Sequence, residues 1–253
     1  MTETRIEVTI GAPVEQVWQA VRDPELIRRW HGWHFGDATD GLDDEIRFIY
    51  VDHAKDVNPE AHSFIVQDSD RFALQETAEG GTLVRITRAP RGTHPEWDAY
   101  YDDITEGWTA FLVQLRFAME RHALAERRMV ALTGTPREGA AFEALGIAAA
   151  AALPVGAAYT ATAATGDALA GEVYARSENQ VVLTIDRLGD RLGDGIGDGL
   201  LVASRSGGFT ALLTLYGTGD DEFTEIAGRW TTWWNTVKST EQSAEAETAT
   251  PAQ

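Results

Sequence analysis

The sequence predicts an α+β protein. Three observations carry this: short alternating segments that read as strands, two long helices with one apolar stripe each, and an order of elements that occurs twice along 253 residues. "TRIEVTI" alternates and reads as the first strand, ended by "GAP". Pro13 suits a first helical turn, and Val14, Val17, Trp18 and Val21 follow at helical spacing. Asp23 and Pro24 interrupt that helix, and "ELIRRW" starts a second short one. "DEIRFIYVD", "EAHSFIVQD", "DRFALQET" and "GGTLVRITR" are then predicted as strands separated by turns. A long helix from 103 to about 128 follows, with Ile104, Trp108, Phe111, Leu112, Leu115 and Met119 on one stripe.

The second half repeats this order in abbreviated form. "RRMVALTG" reads as a strand and "TPREGAAFEALGI" as a short helix. "GAAYTATAA", "LAGEVYAR", "NQVVLTIDRL", "GLLVASRS" and "FTALLTLYG" read as strands. "DDEFTEIAGRWTTWWNTVK" closes as a helix with Phe223, Ile226, Trp230, Trp233 and Trp234 on one side. A tandem arrangement is expected: a domain over 1–126, a shortened and diverged copy over 127–238, and a disordered acidic tail over 239–253.

Composition narrows the function classes. A formal net charge of −19 disfavours nucleic acid and anionic membranes, since binding either depends on basic side chains. The chain has no cysteine, so disulfides, thiolate catalysis and cysteine-bound zinc are excluded. The start lacks a basic region followed by an apolar run, and no segment suits a bilayer span, so a cytoplasmic protein without membrane insertion is expected. No phosphate loop, dinucleotide fingerprint, Gly-x-Ser-x-Gly or zinc-protease helix occurs, and neither a cofactor nor a metal is expected. "DRLGDRLGDGIGDGL" places aspartates at 186, 190, 194 and 198, but glycines at 189, 193, 195 and 197 forbid a stable helix. The spacing fits no calcium loop, and a lengthened hairpin loop is the expectation.

"RIEVTIGAPVEQVWQAVRDPELIRRWHGW" resembles the opening of SRPBCC (START-like, Bet v 1-like) domains. Within that superfamily it is most similar to the branch named after the activator of the ninety-kilodalton heat-shock protein's ATPase. The Val-Trp helix, the Asp-Pro step and a helix ending in Trp carry the likeness, and "EGWTAFLVQLRFAMER" resembles the branch's closing helix. The likeness covers residues 5 to about 122; "FTEIAGRWTTWWNTV" resembles a second closing helix without the Val-Trp and Asp-Pro signature. The resemblance implies a helix-grip fold, a curved antiparallel sheet wrapped round a long C-terminal helix, here in duplicate. It also implies an apolar cavity between sheet and helix, the concave kind of site that small ligands use.

In that frame Trp18 and Trp30 are expected in the core. His31, Trp33 and His34 follow the short helix and are expected at the cavity mouth. A zinc site from His31, His34 and Asp37 ranks below a polar-rim role, because Gly32 and "FGD" break the helix. The expected ligand-contacting residues are Trp33, Phe48, Tyr50, Trp97, Trp108, Leu112 and Leu115, with His31 or Tyr101 as the polar contact. No catalytic residue is assigned. Alternation over 46–51 places Arg47 on the solvent side. The expected function is non-enzymatic binding of a small apolar molecule or a protein client. The alternative is a cyclase/aromatase-like or hydrolase-like enzyme in the same cavity, which needs an acid or base inside, such as His53, His62 or Arg47. The tryptophans at 230, 233 and 234 would mark an interface, for instance a homodimer, if their own copy left them uncovered.

Overall fold

The computed structural model describes residues 3–33, 40–67, 69–93, 95–137, 141–189 and 198–239, the side chains of residues 40 and 95–97 excepted. The chain divides into two compact units, residues 1–127 and 128–253. His34, Asp37, His94, most of the 186–200 stretch and the tail after 239 lie outside the described residues.

In the first unit β1 (Thr4–Ile10) leads through Pro13 into α1 (Val14–Arg22) and α2 (Pro24–Ile27). The Asp23 carboxylate caps α2 by accepting from the Glu25 N–H at 3.0 Å. Next come α3 (Asp40–Ile46) and a π-helical segment, Arg47–Asp52. Strands β2 (Lys55–Asn58), β3 (Ser63–Val66), β4 (Asp70–Glu76) and β5 (Thr82–Arg88) follow, then a 3-10 turn, Pro95–Tyr100, and the closing helix α4 (Tyr101–His122). The helix stops where Ala123 and Leu124 take left-handed backbone angles.

The second unit contains β6 (Arg127–Gly134, whose first residue belongs to the first unit), α5 (Ala141–Leu145), α6 (Ala148–Ala151), β7 (Ala158–Thr162), β8 (Ala168–Arg176), β9 (Gln180–Ile185), β10 (Arg187–Leu188), β11 (Gly199–Ser204), β12 (Phe209–Tyr216) and the closing helix α7 (Asp220–Val237).

Both sheets follow one plan. The first runs β1-β5-β4-β3-β2, and the second β6-β12-β11-β9-β8-β10, with β7 also on β8. In each, the opening strand lies beside the last, and the strands then run back in order, as far as β2 in the first sheet and β8 in the second, where both β7 and β10 pair with β8. Antiparallel sheet and closing helix make each unit an α+β helix-grip domain, so the predicted fold class holds, twice over. The second unit, expected as the abbreviated one, carries the larger sheet, seven strands against five. Trp230 and Trp234 are buried in its own core, and Trp233 packs partly buried on the same cluster. No described helix is long and apolar enough to cross a membrane.

Three expectations need correction. The first closing helix, expected from 103 to about 128, spans Tyr101–His122, because Ala123 and Leu124 turn left-handed and Arg127 already opens β6. The segment 42–52 is helical, not a strand. Leu42, Ile46, Ile49 and Tyr50 are buried at positions i, i+4, i+7 and i+8, a helical pattern hidden within a β-branched and aromatic run. Phe48 and Val51 are turned outward instead, each about half exposed. Trp18 is not fully buried; its ring meets the edges of His62 and Phe64.

Candidate functional site

The first unit holds a cavity of about 660 Å3 between α4, the sheet and the 47–52 segment. Its aromatic wall is made by Trp33, Phe48, Tyr100, Tyr101, Trp108 and Phe111. His31, Glu45, His53, Asp70, Arg88 and Asp103 interrupt that wall with polar groups.

The position of His31 follows directly from the local fold. Trp30 anchors the turn after α2, fully buried, its indole N–H donating to the Ala20 carbonyl at 2.9 Å. The next residue is thereby carried inward, and its ring lies 4.4 Å from Phe111, 5.1 Å from Tyr50 and 5.9 Å from Trp108 between centroids. Gly32 holds φ +63°, and a Cβ there would meet Leu42 Cδ1 at 2.5 Å, so the turn has one available geometry. Arg127 fixes it from the other side, donating to the carbonyls of His31 and Gly32 and to Gln114 Oε1.

Both ring nitrogens of His31 are engaged: Nδ1 lies 3.0 Å from the Tyr50 hydroxyl, and Nε2 lies 3.4 Å from Glu45 Oε1. Burial pushes the His31 imidazole down from its ordinary value, against the pull of Glu45, and pushes the Tyr50 phenol well up. A neutral ring facing a carboxylate carries its proton on Nε2, so Tyr50 donates to Nδ1; the tautomer is assigned from these partners. The Glu45 side chain is about half exposed, and it lines the cavity together with His31.

The second polar feature is a buried ion pair. Arg88 Nε donates to Asp70 Oδ2 at 3.2 Å, and the two side chains are 7% and 4% exposed. Asp70 Oδ2 also accepts the Trp108 indole N–H at 3.0 Å. Arg88 Nη1 donates to the Tyr101 carbonyl and the Thr105 hydroxyl, both at 2.6 Å, and its guanidinium lies 4.1 Å over the Tyr101 ring. Sheet register produces the pair: Phe72 faces Ile86, and two residues further along each strand Asp70 reaches Arg88.

Among the predicted contact residues, His31, Trp33, Phe48, Tyr101 and Trp108 line the cavity. Tyr50 does not; it is fully buried behind His31. Leu112 and Leu115 face the core and are not part of the lining. The Trp97 side chain is outside the described residues. Tyr101 was expected as a polar contact, but its hydroxyl proton goes to the Ala89 carbonyl at 2.9 Å. Of the acid/base candidates, only His53 lines the cavity. His62 bonds Glu15 at 2.9 Å, and exposed Arg47 pairs with Asp52 at 3.3 Å. Asp70 and Arg88 were missed. Strand alternation gave the signal, because Asp70 shares its face with Phe72 and Leu74, and Arg88 with Val84 and Ile86. Among the described residues no cluster of histidines and acids has the makings of a metal site.

No protein-family model matches the chain, and no curated protein matches it. Solved structures that resemble it at low identity include the following three. The di-domain ARO/CYC BexL from the BE-7585A biosynthetic pathway is 14% identical over 92% of this chain and 94% of its own, with a TM-score of 0.36. DynU16, from the dynemicin biosynthetic locus, is 15% identical over 92% and 94%, with a TM-score of 0.32. The di-domain ARO/CYC StfQ from the steffimycin biosynthetic pathway is 13% identical over 96% and 94%, with a TM-score of 0.29. Likeness at this level says nothing of a shared site.

Proposed function

We propose that the first unit binds a small, largely aromatic, oxygen-bearing molecule in its cavity and performs acid–base chemistry on it, as a cyclase/aromatase-like member of the START-like superfamily. The observation that carries this reading is the lining itself: a cavity of about 660 Å3 in which Trp33, Phe48, Tyr100, Tyr101, Trp108 and Phe111 meet Glu45, His53, Asp70 and Arg88. Aromatic faces contribute burial and stacking, and a few placed polar groups orient the ligand.

Passive binding is the second reading. It is favoured by how fully the wall's groups are already engaged: both nitrogens of His31, the hydroxyl proton of Tyr101 and the facing oxygen of Asp70. A protein client rests on the family resemblance alone.

The test of ligand binding uses Gly107, which lies on α4 at the cavity with nothing within 4 Å of an added Cβ. Nile red, a neutral flat dye, should gain fluorescence on binding the full chain, and Gly107→Phe should abolish the gain while circular dichroism stays unchanged. Equal binding by the folded variant would sink the cavity reading.

A further inference from the structure

We propose that His53 is the proton acceptor of this cavity, taking a proton from a neutral aromatic ligand through Nε2. The inference rests on the cavity being a ligand site. Its basis is the contrast between the two histidines on one wall.

His31 has no nitrogen to spare, and its ring is fully buried. His53 stands at the end of the π-helical segment, and the geometry of that segment sets its ring. The His53 backbone N–H donates to the Phe48 carbonyl at 3.0 Å, closing the wide turn, and ring Nδ1 lies 3.0 Å from that same oxygen. A carbonyl only accepts, so Nδ1 carries the ring proton and the neutral imidazole keeps its lone pair on Nε2. Among the described residues no group bonds Nε2. The ring rests on Phe48, centroids 4.0 Å apart, which holds its orientation. Both residues line the cavity. A fixed tautomer, a supported ring and one open basic nitrogen on a residue that lines the cavity are what a general base needs. π-Helical turns recur at functional sites, and this one brings the acceptor carbonyl of Phe48 to Nδ1 of His53.

The lining also restricts the ligand. Glu45, Asp70, Asp98 and Asp103 outnumber the Arg88 guanidinium among the lining residues, so an anion is disfavoured and a neutral molecule fits. The step is a proton transfer: a C–H bond of the ligand breaks, its electron pair stays with the ligand, and the proton passes to Nε2. The imidazolium so formed shares its cavity with the carboxylates of Glu45, Asp70, Asp98 and Asp103.

Nitrobenzisoxazole, a neutral bicyclic aromatic, tests this with the full chain. Removing its ring C–H proton breaks the N–O bond and releases a coloured phenolate. The protein should exceed free imidazole at equal concentration. His53→Gln should lose about a hundredfold, within the usual range for a positioned base, and His62→Gln, altered outside the cavity, should lose nothing. A His53→Gln variant that turns over at the wild-type rate would overturn the proposal. So would a wild-type rate no better than imidazole in protein that still binds Nile red; protein that binds no Nile red would instead overturn the cavity reading. Should His53→Gln fail to fold, diethyl pyrocarbonate labelling of the wild-type chain gives the answer. Label at His53 must rise as the elimination rate falls, and Nile red must slow it there but not at His62. Label indifferent to Nile red would reject the assignment.

Discussion

The two units share a topology and differ in what fills it. In each, a carboxylate at or just before the start of a strand accepts the indole N–H of a tryptophan on the closing helix: Asp70 from Trp108 at 3.0 Å, Asp167 from Trp230 at 2.8 Å. In each, an arginine completes the pair: Arg88 on Asp70, Arg229 on Asp167. In the second unit Phe209, Leu213, Leu183, Ile226 and Trp230 close over the sheet as a continuous core. The first unit holds a cavity, and its arginine is buried beside that cavity rather than half exposed at the surface. One plan thus serves as a packed body in one place and as a container in the other. The difference lies in where the charged pair sits.

The largest effects should come from breaking that pair. Asp70→Ala leaves Arg88 buried without its counter-charge, at a cost of about 3–5 kcal/mol. Asp167→Ala leaves Arg229, 45% exposed, free to be hydrated, and should cost about 1–2 kcal/mol, mostly through the orphaned Trp230 indole. Urea midpoints of the two variants measure the contrast, and equal losses would mean that the pairs play one structural role. Next comes packing. Leu213→Ala, at a fully buried position of the second unit, should cost about 2–5 kcal/mol through the void it opens. Trp33→Ala, on the wall of an existing cavity, should cost clearly less. An equal cost at Trp33 would argue that the cavity is closed in solution.

A smaller effect separates the units by pH. All six histidines belong to the first unit, none to the second. Burial lowers the His31 imidazole from its ordinary 6.5. Below that value the unfolded ring takes up a proton that the folded ring refuses, so the unfolded state binds more protons and stability falls as pH falls. Above it both rings are neutral and the contribution is fully present. Comparing urea midpoints at about pH 7.5 and about pH 5.5, wild-type protein should lose more stability than His31→Gln. Parallel losses in the two proteins would show that His31 is not the group responsible.

Much of the fold was legible because its signals are local and periodic. The Pro13 helix, the Asp23–Pro24 step, most of the strand alternation and the second closing helix stand where their patterns place them, and the first closing helix does so up to His122. The segment 42–52 was misread because "IRFIYV" satisfies two periods at once, and tertiary burial of Tyr50 against His31 selects the helical one. The cavity was half legible. Aromatic residues after α2 and on α4 pointed to it, but Leu112 and Leu115 share the α4 stripe and turn to the core. A stripe gives a helix face without saying which part of that face meets a void. Asp70 and Arg88 were readable in principle, as charges on apolar strand faces; pairing them needs the register of two strands, which spacing does not supply. The π-turn that sets His53 has no sequence signature of its own.

The mildest prediction sharpens the comparison most. Gly107 on α4 and Gly228 on α7 both sit inside a closing helix, and an added Cβ at either meets nothing within 4 Å. Glycine in a helix interior costs stability relative to alanine, so Gly107→Ala and Gly228→Ala should each gain about 0.5–1 kcal/mol. Alike in sign and size, the two positions must part company when the side chain grows. The open space at Gly107 is the cavity, whereas that at Gly228 is a shallow surface depression beside Thr224, Thr232 and Trp233. Phenylalanine at 107 should therefore remove Nile red binding, and phenylalanine at 228 should leave it intact. If Gly228→Phe also abolished binding with the fold preserved, the second unit would be a container as well, and the division into a hollow unit and a packed one would fail.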